Sequence, residues 1–264
     1  GARAPAAPAA RSAYDLLWDS GLVNVLALAR RELGALFLSP VAYVVGALVI
    51  VATSIFGYLS QVVAGGPVSM AGVFDWVAFS MACLTPLLTM RMVAGELRSG
   101  TLDLLVSSPV RSWELVLGKW LAGLLFFLAS ILFTLVYVAL IAAQQRPRSP
   151  GMDYGAVLTG YVGIVLVGAS WVALGILASS LTRSQVIAAV AGIVALLALQ
   201  YLFGTLAGLV QPPLSDLLEY AGAAGHAQSF ERGRLVLRDV VYFLTLSSGA
   251  LFLAARVVES RRWR

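Results

Sequence analysis

Residues 154–182 read YGAVLTGYVGIVLVGASWVALGILASSLT, and no charge falls between Asp153 and Arg183. A helix that crosses a bilayer needs ~20 mostly apolar residues at a rise of about 1.5 Å each. This stretch exceeds that length with no charged side chain, more than a buried helix of a water-soluble core normally shows. It also lacks the short alternating segments of a membrane β-barrel. The same reading extends outward in both directions. Further uncharged runs cover residues 33–74, 76–90, 120–145, 184–215 and 240–255. Six spans follow, near 41–63, 70–92, 115–141, 155–180, 186–209 and 238–258. The second and sixth runs are short, so their spans carry Asp75 and Arg91, or Asp239 and Arg256, at the ends, where long side chains reach the headgroups.

The composition agrees. Hydrophobic residues make up 60% of the 264-residue chain and charged residues 12%, against about half and a quarter in soluble domains. That excludes a soluble enzyme, a disordered tail and a nucleic-acid-binding module. The chain carries 18 Lys+Arg against 13 Asp+Glu. With both termini on one side, that side holds Arg3, Arg11, Arg30, Arg31, Arg91, Arg98, Arg111, Lys119, Arg183, Arg256, Arg261, Arg262 and Arg264. The other side holds Arg146, Arg148, Arg232, Arg234 and Arg238. The positive-inside bias then places both termini in the cytoplasm. The expected fold is an all-α integral membrane protein with six transmembrane helices, preceded by an N-terminal amphipathic interfacial helix.

Residues 1–13, GARAPAAPAARSA, read as a flexible tail without the apolar region of a signal peptide. Residues 14–40 read as a connecting helix. Trp18, Leu22, Val25, Leu26, Ala29, Leu33, Leu36 and Phe37 share one face at helical spacing, and Arg30 and Arg31 make its end basic. Such a helix suits the plane of the membrane interface, or packing against its own bundle. Residues 41–258 form the six-span domain and residues 259–264 a basic tail. The stretches outside the lipid, 1–40, 93–114 and 210–237, are too short for a nucleotide-binding domain.

Residues 95–114 are the most informative connection. Glu96 and Arg98 precede the Ser99-Gly100 turn; Thr101 can cap a short helix with Asp103 in its first turn and Leu104 and Leu105 as its apolar residues. Pro109 closes it, and Ser112 can cap the next helix. Alternatively this is a plain connector with solvated charges. On the other side, residues 210–237 suit a re-entrant or interfacial excursion: Pro212-Pro213 break the fifth span, and LSDLLEY forms a short helix capped by Ser215. Glu219, His226 and Arg232 are its chemistry-bearing residues. His226, the only histidine, reads as solvated or hydrogen-bonded, since no second ligand accompanies it.

No catalytic constellation is present. Gly118-Lys119 looks like the end of a phosphate-binding loop, but Trp113 and Trp120 stand where Gly and Ser/Thr are required. One Cys and one His make no structural zinc site. The spans lack the midplane carboxylates expected of ion-coupled transport.

The stretch MRMVAGELRSGTLDLLVSSPVRSWELVLGK resembles the hallmark of type-2 ABC exporter permeases, through Glu96, Arg98, Gly100-Thr101, Asp103, Leu104-Leu105, Pro109-Val110 and Gly118-Lys119. ASSLTRSQVIAA and HAQSFERGRLVLRDVVYFLTLS look like the gliding-motility GldF-like branch. Gly95 departs from relatives that carry a second acid there. The resemblance implies a coupling helix between the second and third spans, with Glu96, Arg98, Gly100, Thr101, Asp103, Leu104, Leu105 and Pro109 facing a separate ATPase subunit that binds ATP and Mg. It further implies a second permease subunit, homo- or heterodimeric, and the inner membrane of a prokaryote. The function then expected is export of a substrate, lipid-like or amphiphilic in character, driven by that ATPase; the alternative is an ATP-driven mechanical or signal transducer that acts on an outer-side partner, such as a GldG-like auxiliary protein, without solute transport. This chain is not expected to be an enzyme by itself or to hold a metal.

Overall fold

The protein's structure, a computed structural model, describes residues 21–64, 69–100, 111–144 and 152–261. Among these residues there are helices and no strand. A helix α1 (Leu22–Phe37) precedes the six long apolar helices α2 (Pro40–Val63), α3 (Met70–Ser99), α4 (Ser112–Ala143), α5 (Tyr154–Leu181), α6 (Gln185–Ala207) and α9 (Leu237–Arg261). Two short helices, α7 (Leu214–Ala221) and α8 (Ala223–Glu231), stand before α9. Every expected span is present within a few residues, except that α3 runs on to Ser99.

Local chemistry sets the boundaries. α1 stops at Phe37, and Pro40 opens α2 at a position where its missing N–H costs nothing. Asp153 caps α5 by accepting from Gly155 and Ala156, and Ser184 caps α6 by accepting from Ile187. Two expected caps are corrected. α4 has Arg111 as its N-cap, so Ser112 lies in the first turn, where Glu114 accepts from the Arg111 N–H at 3.1 Å. α7 has Pro213 as its N-cap, because proline's fixed φ already suits the first turn, and Ser215 bonds Asp216 instead.

Neighbouring spans alternate in direction. Thr134 meets Tyr161 and Trp120 bonds the Ala169 carbonyl, so α4 runs against α5. Ser179 meets Val93 and Ala94, and Gly160 faces Phe74, so α3 and α5 run together. The start of α2 and the end of α9 therefore lie at one end of the bundle, with α1. The opposite end carries α7 and α8.

About 61% of the spanning windows of α3 and α5 is buried against 28% for α2, α6 and α9, which makes α3 and α5 the inner pair. Helices in lipid gain little from hydrophobic burial against each other, so close backbone approach and interhelical hydrogen bonds hold them. α5 supplies both. Its glycines at 160, 163 and 168 accept the rings of Phe74, Phe230 and Phe127 where any Cβ would collide. Ser170 bonds Ser247 at 2.9 Å and the Phe243 carbonyl at 3.1 Å, which ties α5 to α9. Outward faces of α2 and α6, such as Leu48, Val51, Val190 and Val194, remain exposed apolar surface.

Candidate functional site

At the α1 end, α1 lies across the first turns of α4. The contact is close because residue 118 is glycine: a Cβ there would stand 2.7 Å from the Leu28 Cβ and 3.2 Å from the Val25 carbonyl oxygen. Val25 and Ala29 are buried by this crossing. The next residue on the same stripe of α1 is Glu32, an acid where the pattern calls for an apolar side chain.

Glu32 is answered by Lys119, which is only 1% exposed. The Lys119 ammonium donates to Glu32 at 3.1 Å and to Glu96, at the end of α3, at 2.8 Å. Arg31 adds its guanidinium to Glu32 at 2.9 Å and to Glu96 at 3.5 Å. Two carboxylates meet two cations, so the cluster is neutral overall. It joins α1, α3 and α4 through one buried nitrogen. A second tie holds the beginning of α1: Asn24 donates to the buried Glu114 of α4 at 3.1 Å.

α3 is not continuous as it approaches Glu96. Pro86 sits inside it, and helical bonding is interrupted at residues 90–93. Ser179 of α5 fills the gap. Its hydroxyl accepts from the N–H groups of Val93 at 3.3 Å and Ala94 at 2.9 Å and donates to the Met90 carbonyl at 3.2 Å. The last turn of α3, Ala94–Ser99, is thus a separate piece ended by Gly100 at φ 72°, a left-handed conformation suited to glycine.

Of the coupling residues expected from sequence, Glu96 is drawn into the bundle, whereas Arg98 and Gly100 are exposed. Thr101, Asp103, Leu104, Leu105 and Pro109 lie outside the described residues, as does Trp18 of the connecting helix. Leu22 and Arg30 are exposed, and Arg31 belongs to the cluster. Sequence reasoning noticed Lys119 only as part of Gly118-Lys119 and gave no role to Glu32, Asn24 or Glu114. The available signal was Glu32, at helical spacing from Val25 and Ala29.

At the opposite end His226 is buried and its two ring nitrogens both face acceptors, Asp239 at 2.7 Å and the Tyr220 carbonyl at 3.0 Å. The carbonyl only accepts, so Nε2 donates, and one further proton is shared between Nδ1 and Asp239. The ring stacks on Tyr242 at 4.1 Å. Beside it, Asp216, Glu219 and Arg238 help line a cleft of about 270 Å³. Arg232 is exposed and bonds Gln228. Among the described residues no group of His, Cys, Asp and Glu is arranged to hold a metal ion.

Residues 26–258 match the family model described as "ABC-2 family transporter protein". Two curated relatives are similar over 99 residues at 34% identity, both named "Probable multidrug ABC transporter permease YbhR", from Escherichia coli K12 and O157:H7. The matched stretch is 38% of this chain and about a quarter of the relatives' length.

Proposed function

Because the chain belongs to the ABC-2 family of transporter proteins, we propose that it is the transmembrane permease subunit of an ATP-driven exporter, paired with a second permease and powered by separate ATPase subunits that bind ATP and Mg. The observation that carries this reading is Lys119, buried between Glu32 of α1 and Glu96 of α3. On this reading the connection at 101–110 meets the ATPase, and Glu96 stands five residues before it in the sequence. Movement of that connection acts first on the short Ala94–Ser99 piece. The interruption at 90–93 lets this piece tilt, and the Glu96–Lys119–Glu32 tie carries the tilt into α4 and α1. A nucleotide-driven change requires contacts that differ between two states, and a shared lysine with two carboxylate partners supplies such contacts. The α1 end faces the cytoplasm on this reading, as the excess of Lys and Arg there suggests.

The relatives' name speaks of multidrug transport, and the apolar spans suit an amphiphilic cargo. The exposed Leu214, Leu217 and Tyr220 of α7 favour a second reading, in which a GldF-like permease passes force to a GldG-like partner seated on that helix.

The test is co-purification with, and stimulated hydrolysis by, an ABC ATPase co-expressed with this chain. Glu96→Ala retains the ATPase but loses stimulated hydrolysis, and Asp103→Lys loses the ATPase. If both variants keep wild-type association and hydrolysis, the coupling role is wrong.

A further inference from the structure

The opposite end of the bundle holds an acidic pair that the coupling account leaves unused. Asp75, in the second turn of α3, lies exposed on the side of the bundle, where α3 packs against α8, and its carboxyl interacts with that of Glu231, the last residue of α8. Asp75 is about 8 Å along the helix from Met70, at the depth where a span passes from headgroups to acyl chains. An ionised side chain facing lipid there is costly unless something covers it.

A row of rings from three helices adjoins the pair. Phe56 of α2 stacks on Trp76 of α3 at 4.8 Å and 23°, Trp76 meets Phe79 at 5.3 Å, and Phe79 meets Tyr201 of α6 at 5.9 Å. α8, which ends at Glu231, packs against residues 198–202 of α6 and against α3, and Tyr201 feels the charges of both Asp75 and Glu231. Phe56 and Tyr201 are 48% and 42% exposed. Next to Tyr201 in sequence, Gln200 is 3% exposed and its Oε1 has no partner. Both α2 and α6 pass through a π-helical stretch here, Thr53–Leu59 and Ala198–Leu202, a feature that often marks functional positions. Interfacial aromatics alone need no acids, and an acid pair alone needs no aromatics; together they match one ligand chemistry.

We propose that Asp75 and Glu231, with Phe56, Trp76, Phe79 and Tyr201, form a lateral binding site for a lipophilic organic cation. The carboxyls supply charge and the ring faces supply cation–π attraction. Lateral exposure at acyl depth selects a ligand that partitions into lipid. The charged and titratable groups facing Glu231 are Asp75 on α3, Tyr201 on α6 and Arg232, which follows it at the end of α8. Burial, then the charge of Asp75, pushes the Glu231 carboxyl up to about 8. Near neutrality the pair therefore keeps one proton, and a bound cation competes with it. Calling the ligand a substrate rests on the permease reading; the site itself does not.

Equilibrium dialysis of tetraphenylphosphonium against the full chain in nanodiscs, with empty nanodiscs as baseline, tests this without the ATPase. Binding is saturable and tightens about tenfold from pH 7 to pH 9 as the Glu231 proton leaves. Asp75→Asn weakens it at least tenfold, Asp75→Glu retains it, and Glu231→Gln removes the pH dependence. Should Asp75→Asn not fold, Phe79→Leu must weaken binding. No saturable binding to the wild type, or wild-type affinity in Asp75→Asn, or in Phe79→Leu where Asp75→Asn does not fold, overturns the site. An ATPase that fails to associate would overturn the permease reading and leave this result standing.

Discussion

Two acid pairs, one at each end of the bundle, are balanced in opposite ways. At the α1 end, Glu32 and Glu96 are matched by Lys119 and Arg31 within 3.5 Å. At the other end, Asp75 and Glu231 share a contact with no cation between them, and only Arg232 offsets Glu231. A matched cluster fixes the relative positions of three helices, because removing any one member leaves a buried partner uncompensated. An unmatched pair holds a proton instead and remains able to take a cation from outside. Charge therefore serves as linkage at Lys119 and at His226–Asp239, and as recognition at Asp75–Glu231.

The contrast breaks most readily at Lys119. Lys119→Met leaves Glu32 and Glu96 facing each other with only Arg31, and is expected to cost about 3–5 kcal/mol, the usual penalty for breaking a buried ionic group. Thermal unfolding in detergent, followed by the intrinsic fluorescence, checks this as a large loss in Tm. His226→Ala at the other end leaves the buried Asp239 with Arg238 at 3.3 Å but without its imidazole partner, leaves the Tyr220 carbonyl without the ring N–H, and is expected to cost about 1–3 kcal/mol. The same unfolding measurement ranks it below Lys119→Met.

A smaller effect sharpens the difference through pH. Glu231 has a folded pKa raised to about 8 from 4.5. The folded state therefore holds a proton that the unfolded chain releases, and its stabilising contribution is full below about 4.5 and is lost as pH rises through 8. Tm falls between pH 5 and pH 8.5, and Glu231→Gln flattens that slope. The smallest effect is at Arg261, whose guanidinium donates to the Ser180 and Leu181 carbonyls at the end of α5. Arg261→Ala removes a favourable charge from a helix C-terminus and is expected to cost about 0.3–1 kcal/mol.

The six spans were legible because absence of charge over ~20 residues is a one-dimensional property. Residues 154–182 needed no partner to declare themselves. The cluster was only half legible. Glu96 stood out through its neighbours in sequence, but Lys119 looked like a failed phosphate loop, since nothing local says that its ammonium turns inward toward helices 23 and 87 residues away. Asp75 illustrates the same limit. It read as a span-end charge, while Glu231, which makes it one of a pair, lies far along the chain. The connecting helix was expected either in the membrane plane or packed on the bundle. Gly118 decides for packing on one face, and the exposed Leu22 and Leu26 on the other leave an apolar surface outward.

The central claim is that Lys119 makes α1 follow the end of α3. Hydrogen exchange of the ATPase-bound complex, with and without ATP, tests it directly. In the wild type, protection in residues 22–37 and 90–99 changes together when ATP is added. In Glu32→Ala, which cuts the tie to α1 alone, residues 90–99 still respond and residues 22–37 do not. An α1 response that is the same in both proteins would contradict the account.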